Sequence, residues 1–454
     1  MKDQSKIIRI FISTKNFQHL KTICSTLDND QAFKERIYVE RRLCARRVAE
    51  WLHKRNLIGP RPDQLDPSDL LTYRTYHPNI KSPNKDYSGS IRAYFIAKVY
   101  HYLKGGSFEK ALENERLMDI IAMGEICITI MYLENHYLDR KFGTNSPKTI
   151  AINRAEKRRF EKMLKNHAEL YLSDQKSIDI YGYLQNKLFY NYDIGNIIDS
   201  ELICCQPEVV SSTKYHNFEK KTTIEIEIFS ALGDLKMETT RENKKILYDT
   251  TIDLVNQLTE GYLPIYLLRS FLINAIFYSI FTQILLLVET SIVVTDEQKN
   301  ALKSFSQTYG LVQQIINDIQ DFFPQEKLST KFPEDTQSDF RRRLITLPIA
   351  FFLSQTKENS NLSPIHTEMY DFLTGKIEHS TISQEEIVKA IRYSNPTNIS
   401  FGALDCSFTA VRNMIINAAA RFEVLARTEP GKELLTLPCI AYKSRFLKEY
   451  KKKS

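Results

Sequence analysis

The amino-acid sequence predicts an all-α protein, a single large antiparallel helical bundle, and three observations predict it. Apolar residues recur at helical spacing through most of the chain, and runs alternating in the manner of strands find almost no support. Only 14 glycines and 15 prolines punctuate 454 residues, too few for the many turns of a β-rich or dinucleotide-binding architecture. With 43% hydrophobic and 26% charged residues the chain buries a large core and keeps a soluble surface. The seven cysteines are scattered, with no Cys-x-x-Cys pair and no histidine at zinc-ligand spacing, so they read as reduced, packed thiols of a cytoplasmic protein. The net charge of +7 is mild and owes much to four lysines between Lys448 and Lys453; a nucleic-acid partner is not expected.

The elements follow in order. Residues 1–58 form an N-terminal helical segment, with helical spacing from about Phe17 to Leu57. Residues 59–88 are a connection rich in proline, namely Pro60, Pro62, Pro67, Pro78 and Pro83. The main domain, 89–454, opens with a helix from Ser90 that stops at Gly105 and Gly106, then a long amphipathic stretch from Ser107 to about Lys141 and a helix over Asn153–Leu172. Residues 174–222 lack any sustained period and read as an insertion partly ordered by its aromatic residues. Helical pattern returns over Lys244–Thr259, Tyr262–Glu289 and Asp296–Phe322, where Thr295 and Gln298 make a capping box; Ser383 and Glu386 make another. The charge-free stretch Ser270–Val288 is as long as a membrane crossing. Because Asn274, Ser279, Thr282 and Gln283 interrupt it, it is expected to be a buried bundle helix and not an integral membrane span.

Two places set carboxylates and amides on one face of a helix near its end. In the first, Asn135 and Asp139 lie four apart and are followed by Arg140 and Lys141. In the second, Asn317, Asp318 and Asp321 share a face inside the apolar run of Leu311, Ile315, Ile316 and Ile319. Taken singly, each is also what a solvated helix end looks like. Facing each other across a bundle, such oxygen donors suit Mg²⁺, a hard cation that fills its remaining positions with phosphate oxygens and water, and the natural ligand is then a diphosphate. Arg92, Arg140, Lys141, Arg269 and the run Arg341–Arg343, with Arg343 the choice within it, are the basic residues available to orient that diphosphate. Arg269 opens the charge-free helix, where burial requires an anion as partner.

On these residues the chain resembles the all-trans polyprenyl synthetase family of the isoprenoid synthase superfamily. The family's first aspartate-rich motif, DDxxD followed by basic residues and glycine, is echoed by Asn135-His136-Tyr137-Leu138-Asp139 with Arg140, Lys141 and Gly143, and Glu125 stands ten residues upstream. The second, a GxxFQxxDDxxD-like helix, is echoed by Gly310 through Asp321. Gly89-Ser90-Ile91-Arg92 resembles the basic GKxxR motif, Arg269-Ser270 the Lys-Thr pair, Asp339 through Pro348 the DxxxxKxTLP stretch, and LLTLPCIAYKSRFLKEY the closing helix. The resemblance runs from about Ser88 to the end. It implies an isoprenoid-synthase bundle around a central apolar cavity, Mg²⁺ as cofactor, a prenyl diphosphate as substrate and a homodimer. Asp139, Asp318 and Asp321 are then the catalytic acids, and Asn135, Asp139, Asn317, Asp318 and Asp321 the metal ligands.

The departures shape the expected reaction. Asn135 and His136 replace two aspartates, and Ser90 and Leu344 stand where the family carries lysines that hold diphosphate. Losing the Ser90 lysine weakens the anchor for isopentenyl diphosphate, which points to a terpene synthase: one allylic diphosphate is ionised and its carbocation is cyclised, rearranged or hydrolysed within an aromatic-lined hollow. Tyr94, Phe95, Tyr132, Tyr137, Tyr262, Tyr266, Phe271, Phe277, Tyr278 and Phe281 could line it, or could be core. Asn317, Asp321 and Gln325 also match the spacing of the NxxxSxxxE metal motif of terpene synthases, and Arg392-Tyr393 resembles their Arg-Tyr pair. The alternatives are a polyprenyl diphosphate synthase that elongates the allylic substrate with isopentenyl diphosphate, and a non-catalytic subunit of the same fold.

Overall fold

A computed structural model of the chain describes residues 31–57, 91–141, 147–172, 179–189, 191–192, 266–267, 269–289, 293–322, 338–357, 362–392 and 402–450, and gives only the backbone of 31–34, 38, 135–141, 147–154, 338, 357, 416–417, 419–421 and 443–450. Among the described residues every regular element is a helix. Helix α1, Gln31–Lys54, buries Ile37, Cys44, Val48 and Leu52 along one stripe at helical spacing. It docks on α2, Ile91–Lys104, which ends as expected where Gly105 and Gly106 turn to φ of +70° and +78°. The docking is also ionic. Lys98 of α2 is fully enclosed and reaches Glu40 of α1 at 2.9 Å and Glu433, far along the chain, at 2.7 Å.

The expected long helix from Ser107 is two helices. Ser107 caps α3, Phe108–Ala111, and the side chain of Asn114 accepts the Leu117 N–H at 2.9 Å, restarting the chain as α4, Glu115–Lys141. Helix α5, Pro147–His167, starts six residues before the predicted Asn153, because Pro147 costs nothing in a first turn whose N–H groups have no helical partner. It runs on through a wider π turn, Ala168–Leu172. Within the expected insertion, residues 180–192 belong to the bundle: in α6, Ile180–Leu184, Tyr183 donates to Gln283 at 3.0 Å, and beyond it Tyr192 donates to the Met131 carbonyl at 2.7 Å. The rest of the insertion, and Lys244–Thr259, lie outside the described residues.

Helix α7, Ile276–Val288, follows a π turn at Phe271–Ala275, and the apolar span Phe271–Val288 is 78% buried inside the bundle. Its polar residues form a seam with α8, Asp296–Gln320: Thr282 meets Ser306 at 2.7 Å and the Asn274 amide donates to the Gly310 carbonyl at 2.9 Å. That seam is why an otherwise membrane-like segment stays inside the protein. The capping box at the start of α8 forms as expected, with Thr295 N–H on Gln298 Oε1 at 3.0 Å and Gln298 N–H on Thr295 Oγ1 at 3.2 Å.

Helix α8 is the spine of the molecule. Its first half, Leu302, Phe305 and Tyr309, packs in one core with α1, α2, α4 and α7; its second half, Val312, Ile315, Ile316 and Ile319, packs in another. The second core is closed by α9, Ser338–Arg341, α10, Leu347–Lys357, α11, Pro364–Leu373, α12, Gln384–Arg392, α13, Ala403–Arg421, and α14, Glu429–Tyr450. Asn317, Asp318 and Asp321 therefore sit at the end of the spine, inside the second core.

Candidate functional site

The end of α8 buries its acids. Asp318 is 0% exposed: Oδ2 accepts the Tyr266 hydroxyl at 2.8 Å and Oδ1 accepts the Gln314 amide, one turn back, at 2.8 Å. Burial, the Asp318 charge and the hydrogen bond to it push the Tyr266 hydroxyl well above the ordinary phenol range, while Ser270 and Arg269 beside it pull the other way. Tyr266 is therefore a fixed donor near neutral pH. Asp321, 1% exposed, is the residue on which α8 ends, and its N–H bonds the Asp318 carbonyl at 3.2 Å. Asn317 is half-buried beside them. The Arg269-Ser270 pair, also buried, is thus gathered with Asp318 around Tyr266.

Arg92 opens α2 and is held from the other side. Its Nη2 donates to Asn274 Oδ1 at 3.0 Å, and its guanidinium lies 5.9 Å from the Phe277 ring. Its Nε is buried and makes no hydrogen bond among the described residues. Arg343 is engaged elsewhere: Nη2 donates to the carbonyls of Ile377 and Glu378 at 2.9 and 2.8 Å, and the guanidinium covers the Phe372 ring at 4.5 Å. Leu344, where the resemblance places a lysine, is buried at 1% exposure. Arg392 faces Asp405, whose carboxyl burial pushes up and Arg392 draws back down.

The first motif lies on helical backbone through Lys141, so Asn135 and Asp139 keep their one-turn spacing; the side chains of Asn135, His136, Asp139, Arg140 and Lys141 fall outside the described residues. Glu134 pairs with Lys157 of α5 at 2.6 Å. Glu125 is buried. Among the described residues no group of three or more His, Cys, Asp or Glu is placed to hold a metal ion. The aromatic residues expected around a hollow pack on one another: Phe95 stacks on Tyr309 at 4.7 Å and meets Tyr278 edge-on at 5.0 Å, and Phe277 lies 4.5 Å from Phe281. Gln314 was not singled out in the sequence, while Tyr266 was expected only as a wall or core aromatic and Asn274 only as an interruption of an apolar run. Of these, only the Gln314–Asp318 spacing of one helical turn was a signal in the sequence.

No family profile and no curated protein matches the sequence. Solved structures do. The chain is similar to a polyprenyl synthase from Caulobacter crescentus complexed with calcium and isoprenyl diphosphate, at 13% identity over 93% of this chain and 98% of that one, with a TM-score of 0.53. A geranylgeranyl pyrophosphate synthase from Corynebacterium glutamicum, complexed with isoprenyl diphosphate and magnesium, matches at 10% identity over 89% and 99% of the two chains, TM-score 0.53. A geranylgeranyl pyrophosphate synthetase from Pyrococcus horikoshii matches at 14% identity over 90% and 98%, TM-score 0.51. The chain thus has the all-α fold of the isoprenyl diphosphate synthases, as the resemblance implied.

Proposed function

We propose that the protein is a divalent-cation-dependent prenyl diphosphate synthase, elongating an allylic prenyl diphosphate with isopentenyl diphosphate. The observation that supports it most is the likeness to isoprenyl diphosphate synthases over 98% or more of their length, since two of those structures are complexed with isoprenyl diphosphate and a divalent metal.

In this reading Asn317, Asp318 and Asp321, with Asn135 and Asp139 of α4, would hold the cation; all are oxygen donors, as Mg²⁺ requires. Bound there, the cation would supply charge neutralisation for the diphosphate. Tyr266 and Gln314 orient the Asp318 carboxylate. Arg92 and Arg269 bind and orient the diphosphate oxygens, joined by Arg140 and Lys141 after the first motif, while the contacts of Arg343 suit it better to holding its own loop. The chain works as a homodimer.

A second reading, ionisation of one allylic diphosphate without elongation, keeps the support of Ser90 and Leu344, where basic anchors for a second diphosphate are missing. One assay separates them. Purified full-length protein is incubated with Mg²⁺ and geranyl, farnesyl or geranylgeranyl diphosphate, with and without isopentenyl diphosphate. Longer diphosphates that appear only with the co-substrate support the proposal. Hydrocarbons or alcohols formed without it favour the second reading, and no turnover of any pair leaves a non-catalytic subunit.

A further inference from the structure

Asn274 breaks an apolar segment and is 5% exposed, yet both ends of its amide are used. The Gly310 carbonyl can only accept, so the Asn274 NH₂ must face it, at 2.9 Å, and this turns Oδ1 toward Arg92, whose Nη2 donates to it at 3.0 Å. The short side chain reaches α8 because Gly310 has no Cβ: one built there would lie 2.5 Å from Ala275 Cα. The result is a guanidinium clamped through Nη2 and flanked by Phe277, with a buried Nε–H that has no acceptor among the described residues. A phosphate oxygen is the acceptor that such a donor lacks.

We infer that Asn274 is a positioning residue, which locks the Arg92 guanidinium so that its Nε–H is presented to a diphosphate oxygen. This rests on the diphosphate-binding reading above. It adds a residue that touches neither substrate nor metal, and it assigns the role of Gly310 in bringing α8 close enough to orient the amide.

The test is calorimetric titration of the full chain with inorganic pyrophosphate in excess Mg²⁺, for the wild type, Arg92→Ala, Asn274→Ala, Asn274→Asp and the Asn274→Ala/Arg92→Ala double variant. Arg92→Ala is expected to weaken binding by about tenfold or more and Asn274→Ala by somewhat less, as for loss of one charge-assisted hydrogen bond and of its orientation. The double variant should bind no worse than Arg92→Ala, because Asn274 acts only through that guanidinium. Asn274→Asp is nearly isosteric, but it pairs with Arg92 and repels the ligand, so it should bind more weakly than Asn274→Ala. A merely structural Asn274 would lower thermal stability and give losses that add in the double variant; that additivity, or Asn274 variants that bind like the wild type while Arg92→Ala is weakened, overturns the inference alone. Absence of pyrophosphate binding by the wild type overturns the functional reading and this inference with it.

Discussion

Replacing Gly310 by alanine is expected to destabilise the protein, and replacing Gly124 by alanine is not, although both glycines lie inside long helices. At Gly310 an added Cβ would meet the Ala275 Cα at 2.5 Å and the Tyr278 ring at 2.8 Å, against 3.4–4 Å for an ordinary contact. One of those atoms is backbone, so α8 must move away from the Phe271–Ala275 turn by about an ångström. Overpacking of this kind costs about 1–3 kcal/mol. Moving the helices also stretches the bond from Asn274 to the Gly310 carbonyl, worth about 1 kcal/mol, while alanine in a helix interior returns about 1 kcal/mol. The net loss is about 1–3 kcal/mol. At Gly124 the Cβ meets side-chain ends, those of Ile96 at 3.1 Å, Phe281 at 3.3 Å and Phe277 at 3.5 Å. Those ends shift by a few tenths of an ångström, so the helix gain dominates and Gly124→Ala should be neutral or stabilising by up to about 1 kcal/mol. Urea midpoints at equal slope measure both. If Gly310→Ala proves as stable as Gly124→Ala, the close approach of the two helices, and the Asn274 bridge built on it, is wrong.

Other perturbations separate the remaining structural claims. Lys98→Met should cost about 3 kcal/mol by urea unfolding, because Glu40 loses the cation enclosed beside it while Glu433 keeps Arg36 at 2.6 Å; an unchanged midpoint would remove the ionic component of α1 docking. Arg343 has φ of +56° while its side chain holds the Ile377 and Glu378 carbonyls. Arg343→Gly and Arg343→Ala both lose those bonds, but only glycine relieves the backbone, so the glycine variant should be the more stable by about 1 kcal/mol. His167 packs against Asp119 and Arg55, and burial holds its imidazole below the ordinary 6.5. The unfolded chain therefore takes up the proton first, and stability is lost as pH falls below about 6.5 toward the lower folded value. A melting series between pH 8 and pH 5 should show this slope reduced in His167→Asn; an equal slope in both proteins refutes it.

What could be read in the sequence was local. The boxes at Thr295–Gln298 and Ser383–Glu386 form because each closes within one turn, and the stop at Gly105–Gly106 needs nothing beyond two residues that accept positive φ. The Asn317–Asp321 cluster was found from its spacing, and its place on the central helix follows from the apolar stripe around it. The partners were not legible. Tyr266 and Asp318 are 52 residues apart, Arg92 and Asn274 are 182 apart, and no spacing rule joins them. Asn274 registers in sequence only as an interruption of an apolar run, because its meaning depends on the Gly310 carbonyl across the helix interface. The break at Asn114 was missed for the opposite reason: apolar periodicity continues through it, and one side-chain cap divides the helix.

The most direct test of the diphosphate site is a crystal structure of the full chain with Mg²⁺ and pyrophosphate. The account predicts a metal ion about 2.0–2.1 Å from a carboxylate oxygen of Asp318 or Asp321, with a pyrophosphate oxygen accepting the Arg92 Nε–H. Pyrophosphate bound away from the end of α8, with no metal beside Asp318 or Asp321, would contradict it.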